Sequence, residues 1–356
     1  MSKRLLHRTL LHAAALACLI SLAVVARAQQ QPAAERGAAL AKAEAEALRV
    51  AVKRDKRNAD AWHMLGAALA RAGDGKGSRK AFETALKLRP DHAPSRAGLA
   101  HALLLLGKPT DAEREAARAF AADPQSAEAV YVLGVARRTR ADFKSAAEAA
   151  ESALRLDPNF APAARLMGEA LLDSYADAGE RYRAQYSSAP EGVRLAREES
   201  SEDFRRAVAP LKARMLETAD KLDAFVKARP DLQNEPVLLD VIDTLRFYGR
   251  LSRDGLGDLS GVFPWDKVTT KAVILFKPEP AFTEEARKNN VSGVVRLRAV
   301  LGADGRVRNI LVLKRLPDGL TDKAVAVARR IRFQPATLDG RPVSQMVVLE
   351  YNFNVY

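Results

Sequence analysis

The side chains that most often carry out chemistry are few in this sequence and are widely spaced. Cys18 is the only cysteine, and the histidines beyond residue 28 are His63, His92 and His101. None of these histidines has a second metal ligand at a typical spacing. The sequence contains neither a Gly-x-Ser-x-Gly nucleophile motif nor a phosphate-binding glycine loop. We therefore expect a protein that is not an enzyme and that holds no metal and no cofactor.

The end of the chain offers a different chemistry, which is backbone hydrogen bonding. Residues 346–356 alternate strictly, with Val347, Leu349, Tyr351, Phe353 and Val355 on one side and Met346, Val348, Glu350, Asn352 and Asn354 on the other. A period of two predicts a half-buried strand. At the edge of a sheet, such a strand can pair with an incoming peptide through its free N–H and C=O groups. The candidate peptide-binding strand comprises Gln345, Met346, Val347, Val348, Leu349, Glu350, Tyr351, Asn352 and Phe353.

The same segment also has a plainer interpretation. It can be a core strand whose edge is blunted against pairing, with Glu350, Asn352 and Asn354 as the blunting side chains. Both interpretations predict the same fold, and they differ only in whether a peptide binds to the edge.

Residues 271–356 contain the elements that would position this strand. The expected order is a short helix at 283–288, a strand at 294–301, a turn at 302–305, a strand at 306–316, a helix at 320–332 ended by residues 333–336, a turn at 339–342 and the last strand. Asp304-Gly305 is typical hairpin chemistry. These elements predict a small α+β domain, in which one helical face covers a three-stranded antiparallel sheet. The segment is basic, with 15 Lys and Arg against 8 Asp and Glu, in a chain of net charge +13.

Several motifs of this domain resemble the C-terminal domain of the energy transducer TonB. They are Pro280-Ala281-Phe282-Thr283 at the opening, Gly293 before the first strand, Asp304-Gly305-Arg306-Val307 at the hairpin, Arg329-Arg330 in the helix, Phe333-Gln334-Pro335 after it, and the apolar strand at 347–353. The opening departs from the family pattern, which has Tyr-Pro where this chain has Phe282-Thr283. The resemblance implies that the domain binds a short segment of an outer-membrane TonB-dependent receptor, added as a strand to the sheet.

The middle of the chain repeats with a period of 34 residues. The residues that keep this spacing include Pro90, Pro124 and Pro158, and also Leu65, Leu99, Leu133 and Met167. Proline ends the second helix of each pair, because it lacks an amide donor and clashes with the preceding turn. The pattern resembles the tetratricopeptide repeat (TPR) family over residues 59–173, which implies an all-α solenoid of helix pairs. A leading helix is expected within residues 29–58.

In the tetratricopeptide family, the first helix of each pair lines a concave groove that binds protein partners. By register, this groove would present His63, Arg71, His101, Tyr131, Arg138, Arg165 and Glu169. Some members clamp a peptide carboxylate with asparagines, whose positions are occupied here by Met64, Gly98, Val132 and Leu166. Two alternatives stay open, which are an unidentified protein partner and a solvated face without a ligand.

Residues 174–270 predict a helical extension followed by a linker. Apolar periodicity indicates a long helix over residues 199–228, which Pro210 would kink or restart, and a second helix over residues 236–250. Residues 253–258 are rich in turn-forming types and form the expected linker.

The first 28 residues have the pattern of a secretory signal peptide. Lys3, Arg4 and Arg8 precede an apolar run at residues 10–26, and Ala26-Arg27-Ala28 is a small-x-small cleavage site. Cleavage would release the chain into the periplasm, whereas an uncleaved segment would anchor it in the inner membrane facing the periplasm. Only an anchored chain would have an ExbB/ExbD-type motor as a partner. Export also argues against a nucleic-acid partner.

These patterns predict a multidomain chain, in which an all-α TPR solenoid is followed by a small α+β domain of the TonB C-terminal type. The expected function is that of a periplasmic TonB-like transport protein, whose C-terminal domain binds receptor peptides and whose repeats form a partner-binding scaffold. The alternative is a periplasmic TPR scaffold or assembly protein that has no energy-transducing role.

Overall fold

The computed structural model describes residues 33–186, 198, 201–233, 235–251, 261–264 and 266–354. The expected signal peptide, the linker at residues 253–258 and the last two residues lie outside the described residues. The chain divides into two compact units, residues 1–105 and residues 106–356. Within the described ranges, no helix combines the length and the apolar character needed to cross a bilayer.

The first unit is built from helices. They are α1 (Ala33–Arg54), which is the expected leading helix, α2 (Ala59–Arg71), α3 (Gly75–Leu88) and α4 (Ala93–Leu105). The side chain of Asn58 caps α2 by accepting a hydrogen bond of 2.9 Å from the amide of Ala61. Gly66 lies against Phe82, and a Cβ atom at Gly66 would be 2.9 Å from that ring. The glycine therefore allows α2 and α3 to pack closely.

The second unit begins with four further helices. They are α5 (Pro109–Ala122), α6 (Ala127–Thr139), α7 (Phe143–Leu156) and α8 (Ala161–Ala184). Helices α2, α4, α6 and α8 begin at Ala59, Ala93, Ala127 and Ala161, which are spaced by 34 residues. This spacing confirms the repeat that the prolines predict. Helix α8 continues beyond Asp173 and joins the extension that follows.

Two long helices form that extension. Helix α9 (Glu202–Lys227) is unbroken although Pro210 lies inside it, and α10 (Pro236–Arg250) has the predicted bounds. Pro210 is on the exposed face of α9. The carbonyl group that it leaves without a helical partner can therefore be hydrated, which explains why the helix neither breaks nor restarts.

The described part of the C-terminal domain contains a mixed five-stranded sheet, a separate two-stranded sheet and two helices. Its elements are β1 (Val262–Phe263), β2 (Val273–Phe276), α11 (Glu284–Lys288), β3 (Gly293–Leu301), β4 (Val307–Lys314), α12 (Leu320–Ala328), β5 (Arg332–Gln334), β6 (Ala336–Leu338) and β7 (Arg341–Phe353). The strand order is β1-β7-β3-β4, with β6 also paired to β7 and with β2 paired to β5. The antiparallel strands β7, β3 and β4 confirm the predicted three-stranded sheet.

The predicted helix at residues 320–332 is too long. Helix α12 ends at Ala328, and β5 then pairs with β2 through Ile274 opposite Phe333 and Val273 opposite Gln334. Residues 333–336 therefore do not stop a helix, because Phe333 has to be extended to fill the core of the domain. Strand β2 was not predicted, since its run of apolar residues does not alternate.

Helices cover both faces of the sheet, and not only one as predicted. On one face, Leu297 and Leu349 pack with Ala324 of α12. On the other face, Leu311 and Leu313 of β4 join the core formed by α8, α9 and α10. Strand β4 thus contributes to the hydrophobic core of the helical extension, while the other face of the sheet has a core of its own.

Candidate peptide-binding edge and its helical support

The last strand has the predicted alternation. Leu349, Tyr351 and Phe353 are buried in the core of the domain, whereas Glu350 and Asn352 are exposed. Gln345 is buried as well, and its side-chain oxygen accepts a hydrogen bond of 2.7 Å from the amide of Ala272. The strand is therefore held by its apolar face, and its polar face lies in solvent.

Strand β7 has one paired side and one open side. It pairs with β3 continuously from Gln345 to Phe353, and on its other side β1 pairs only with Ser344 and Gln345. From residue 346 to residue 353, no strand among the described residues pairs with this outer side.

The outward backbone groups can be assigned from the alternation of a strand. The carbonyl of Glu350 accepts a hydrogen bond from a side chain outside the sheet, so residue 350 points its backbone groups away from β3. Successive residues alternate direction, so Met346, Val348 and Asn352 also point outward. Pro342 has the same parity and lacks an N–H group, as expected at an open edge.

A lysine lies over the open edge. The Lys277 ammonium donates to the Glu350 carbonyl at 2.6 Å and is 4.6 Å from the centre of the Tyr351 ring. The Glu350 carboxylate is held by Arg296 of β3 at 2.8 Å. The Tyr351 hydroxyl is buried without a hydrogen-bond partner among the described residues. Burial, with a smaller contribution from the charge of Glu279, raises the pKa of Tyr351 to about 12.

The opposite edge of the sheet, strand β4, is fixed to the helices. The Tyr248 hydroxyl of α10 donates to the Asn309 carbonyl at 3.1 Å. The Asn309 side-chain amide donates to Asp243 at 2.8 Å, and Arg329 after α12 bonds to Asp240 at 2.7 Å. The helices thus contact β4, whereas the structure, as far as it describes the chain, pairs no strand with the outer side of residues 346–353 of β7.

Two of the predicted groove residues contribute to this attachment. Arg138 bonds to Glu169 at 2.6 Å and to Asp173 at 2.7 Å, and Arg315 of the C-terminal domain bonds to the same Asp173. Burial opposes the charge of Arg138, but Asp173 and Glu169 outweigh that effect and raise its pKa. Arg165 lies 3.7 Å from Glu169. Arg138 therefore shares the Asp173 carboxylate with Arg315, a side chain of the C-terminal domain of the same chain.

The remaining predicted groove residues have separate environments. Tyr131 packs edge-on against Phe160, with ring centres 5.2 Å apart, and burial raises its pKa. In the first unit, Arg71 bonds to Glu44 at 2.5 Å and His101 is exposed. The Nδ1 atoms of His63 and His92 lie 3.1 and 2.7 Å from the same Ser95 hydroxyl, and burial lowers both histidine pKa values.

The structure contains a buried ion cluster that the sequence analysis does not predict. Arg183 of α8, Glu198 and Arg298 of β3 are all nearly inaccessible to solvent. Glu198 bonds to Arg183, and it lies 3.6 Å from Arg298. Arginine in a strand is usually interpreted as a solvated side chain, so no sequence pattern indicates this cluster. The run Leu311-Val312-Leu313 did carry a signal, because adjacent apolar residues in a strand indicate burial on both faces.

The comparisons with known families agree with this architecture. Residues 278–355 match the family of the Gram-negative bacterial TonB protein C-terminal domain. Residues 23–164 match the TPR domain of cytochrome c-type biogenesis protein H. The chain thus combines a TPR domain with a TonB C-terminal domain, and both are domains of protein–protein interaction.

The individual proteins that this chain resembles match only part of it. Protein FlbA of Caulobacter vibrioides is 31% identical over 179 residues, which are 50% of this chain but 29% of that protein. Among solved structures, MamA is 23% identical, with 35% of this chain and 74% of MamA covered at a TM-score of 0.32. The type IV pilus biogenesis factor PilW is 18% identical, with 60% and 99% covered at 0.35. YrrB, described as a TPR protein with an unusual peptide-binding site, is 17% identical, with 55% and 97% covered at 0.33.

Proposed function

We propose that this chain is a periplasmic envelope protein whose TonB-type domain binds an extended segment of an outer-membrane receptor. The segment would add to β7 as a new strand, and the TPR helices would serve as a scaffold for a further protein. The observation that carries the proposal is the outer side of residues 346–353, with which no strand of the described residues pairs, in a domain of the TonB C-terminal type.

The energetics of the edge favour a weak and reversible complex. Four outward residues, Met346, Val348, Glu350 and Asn352, can each donate one N–H group and accept at one C=O group. With a net value of about 1 kcal/mol per hydrogen bond, up to eight such bonds contribute about 8 kcal/mol, which lies within the range of about 4 to 15 kcal/mol that association costs. Side-chain contacts or tethering near the receptor would supply the remaining affinity.

The role in transport depends on the N-terminal segment. A chain cleaved after Ala28 would be a soluble adapter in the periplasm, and force would have to come through a partner held by the repeats. An uncleaved chain would be anchored in the inner membrane, where an ExbB/ExbD-type motor could act on it. Determining the N-terminal residue of the protein purified from its native host distinguishes these cases.

The strand-addition proposal is tested by nuclear magnetic resonance on the whole chain. The isolated C-terminal domain is unsuitable, because removal of the helices would expose Leu311 and Leu313. Peptides from the N-terminal segments of the host's TonB-dependent receptors are titrated to millimolar concentration. We expect shifts of the amide signals of residues 345–353, with much smaller shifts along β4. Absence of any shift in β7 would refute the proposal.

The second candidate is a scaffold protein in which the C-terminal domain is only structural. The attachment of β4 to α8 and α10, together with the lysine over the β7 edge, favours it. Cross-linking in the native envelope separates the candidates. A photoreactive residue at Asn352 should capture a receptor if β7 binds it. Capture of partners only from positions on α2 and α4, such as Arg71, would favour the scaffold.

A further inference from the structure

The apolar side chains of β2 are exposed in a continuous run. Val273, Ile274, Leu275 and Phe276 are 52%, 41%, 68% and 47% exposed. Elsewhere in the described part of the chain, no two of the large exposed apolar side chains are neighbours in sequence. Isolated exposed apolar residues are normal in folded proteins, whereas a contiguous group indicates an interaction site.

These side chains are exposed on both sides of the ribbon that β2 forms with β5. Val273 pairs with Gln334, and Ile274 pairs with Phe333, which enters the core of the domain. Because successive residues of a strand point to opposite sides, Val273 and Ile274 face opposite sides of the ribbon. The register of the pairing shifts after Ile274, so Leu275 bulges out of the ladder. Solvent therefore reaches apolar side chains on both sides of the ribbon.

Basic side chains flank the apolar run. Residues 267–277 contain three lysines and no acidic residue, and the first acidic residue after the run is Glu279. Lys271 lies before the run and is exposed. On β5, the guanidinium of the exposed Arg332 lies 4.9 Å from the centre of the Phe276 ring. The surroundings of β2 are therefore positively charged as well as apolar.

A bilayer surface with anionic headgroups fits this combination better than a protein partner does. A rigid protein surface would cover one side of the ribbon and leave apolar side chains on the other side in water. The interfacial layer of a bilayer surrounds a segment that enters it, so it covers both sides at once. Anionic phospholipids also attract Lys and Arg, whose long side chains can keep their apolar stems in this layer and their charges among the headgroups.

We propose that β2 is a membrane-docking strand. Residues 273–276 enter the interfacial layer of a phospholipid bilayer, while Lys271 and Arg332 contact the phosphate groups of anionic lipids. The docking holds the C-terminal domain against a membrane surface. The side chains that carry it belong to β2, its N-terminal flank and β5, so the inference goes beyond the proposed function and does not depend on strand addition at β7.

The test places a nitrobenzoxadiazole fluorophore, which reports the polarity around it, at position 275 of the whole chain through Leu275→Cys in a Cys18→Ser background. Vesicles of phosphatidylcholine alone are compared with vesicles that also contain phosphatidylglycerol. We expect a blue-shifted and brighter emission with the anionic vesicles, and a weaker response in high salt because salt screens the attraction. The same fluorophore at the exposed Leu239 of α10, through Leu239→Cys, should not respond.

Matched variants of the chain labelled at position 275 locate the interaction. Ile274→Ser should weaken binding to the anionic vesicles by about fivefold or more, because it removes an apolar side chain from the interfacial layer. Arg332→Gln should weaken it by about fivefold, as expected for one basic side chain at an anionic surface. Lys314→Gln, which removes a charge from β4, should change it by less than about twofold. Thermal unfolding should be the same for all of them, since these three side chains are exposed.

Several outcomes would overturn the inference. They are no response at position 275 to the anionic vesicles, an equal response to both kinds of vesicle, and unchanged binding in Ile274→Ser and Arg332→Gln. A response that grows with chain concentration in the absence of vesicles would also overturn it, because a second copy of the chain would then cover β2. None of these results bears on strand addition, which is tested by the shifts of residues 345–353 with receptor peptides, so the two proposals fail separately.

Discussion

The two outer strands of the C-terminal sheet, β4 and β7, have opposite surroundings. At β4, apolar side chains enter the helical core, and Tyr248 and Asp243 of α10 bind the backbone carbonyl and the side chain of Asn309. At the β7 edge beyond Gln345, the Lys277 ammonium bonds to one outward carbonyl, and no strand of the described ranges pairs with the outward backbone. One edge thus serves attachment, and the other is presented to solvent.

This difference explains how a weak binding edge can be useful. A strand on a freely tethered domain loses entropy when it binds, both from the strand and from the domain that carries it. Here strand β4 contributes to the core of α8, α9 and α10, so the edge is preorganised and its orientation relative to these helices is set before binding. The attachment at β4 therefore supports binding at β7 without contacting the peptide.

The largest effect on stability is expected from shortening a side chain that attaches β4 to the helices. Leu311→Ala removes a buried side chain from the shared core and should lower the free energy of unfolding by about 3 kcal/mol, through lost burial and a cavity. Leu275→Ala makes the same change on the exposed strand β2 and should alter it by at most about 0.5 kcal/mol. Denaturant titration of both variants checks the contrast. Equal effects would mean that β4 is not anchored as the structure shows.

The ion network should have the next largest effect. Asp173 is buried and accepts charged hydrogen bonds from Arg138 and Arg315, so Asp173→Asn should cost about 2 kcal/mol of unfolding free energy. Asp177→Asn removes an exposed carboxylate, one turn further along α8, that bonds to Arg181. That control should cost no more than about 0.5 kcal/mol. If Asp173→Asn costs as little as the control, the ion network does not contribute to the attachment of the C-terminal domain to the helices.

The local features of both domains could be predicted from the sequence. The 34-residue period gives the helix starts, because each pair repeats the same packing and the same proline stop. The alternation of residues 346–353 gives the buried and exposed faces of β7. In both cases, the pattern arises from contacts that repeat at a fixed interval along the chain.

The attachment could not be predicted, because it depends on contacts between distant segments. Arg138 and Glu169 have the positions of groove residues, and nothing near them indicates that Arg315 approaches the same Asp173. The pairing of β2 with β5 is likewise long-range, and the run Val273–Phe276 lacks the alternation that would identify a strand. Only Leu311-Val312-Leu313 indicates that a second layer covers the sheet.

Tyr351 of β7 should make the stability of the chain depend on pH. Its pKa is raised to about 12 in the folded chain, mainly by burial, compared with about 10 for an exposed tyrosine. Because the folded state favours the neutral phenol, its stabilising contribution is complete below pH 10 and is lost as the pH rises towards 12. The difference in stability between the unchanged chain and Tyr351→Phe should therefore fall by about 2 kcal/mol over this window. Denaturant titrations at pH 8 and above pH 11 measure it, and a constant difference would contradict the assignment.

The smallest expected effect is on peptide affinity, and it tests the open edge of β7 alone. Asn352→Pro removes an N–H group that points away from β3, so the ladder with β3 should persist and the unfolding free energy should change little. A peptide that adds to the edge loses one hydrogen bond of about 1 kcal/mol, which corresponds to about fivefold weaker binding. Asn352→Ala keeps the N–H group and should bind the receptor peptides as the unchanged chain does. Isothermal titration calorimetry with the receptor peptides measures both affinities. Equal values for the two variants would mean that the peptide does not use the backbone of β7, which would leave the structural attachment at β4 as the domain's role.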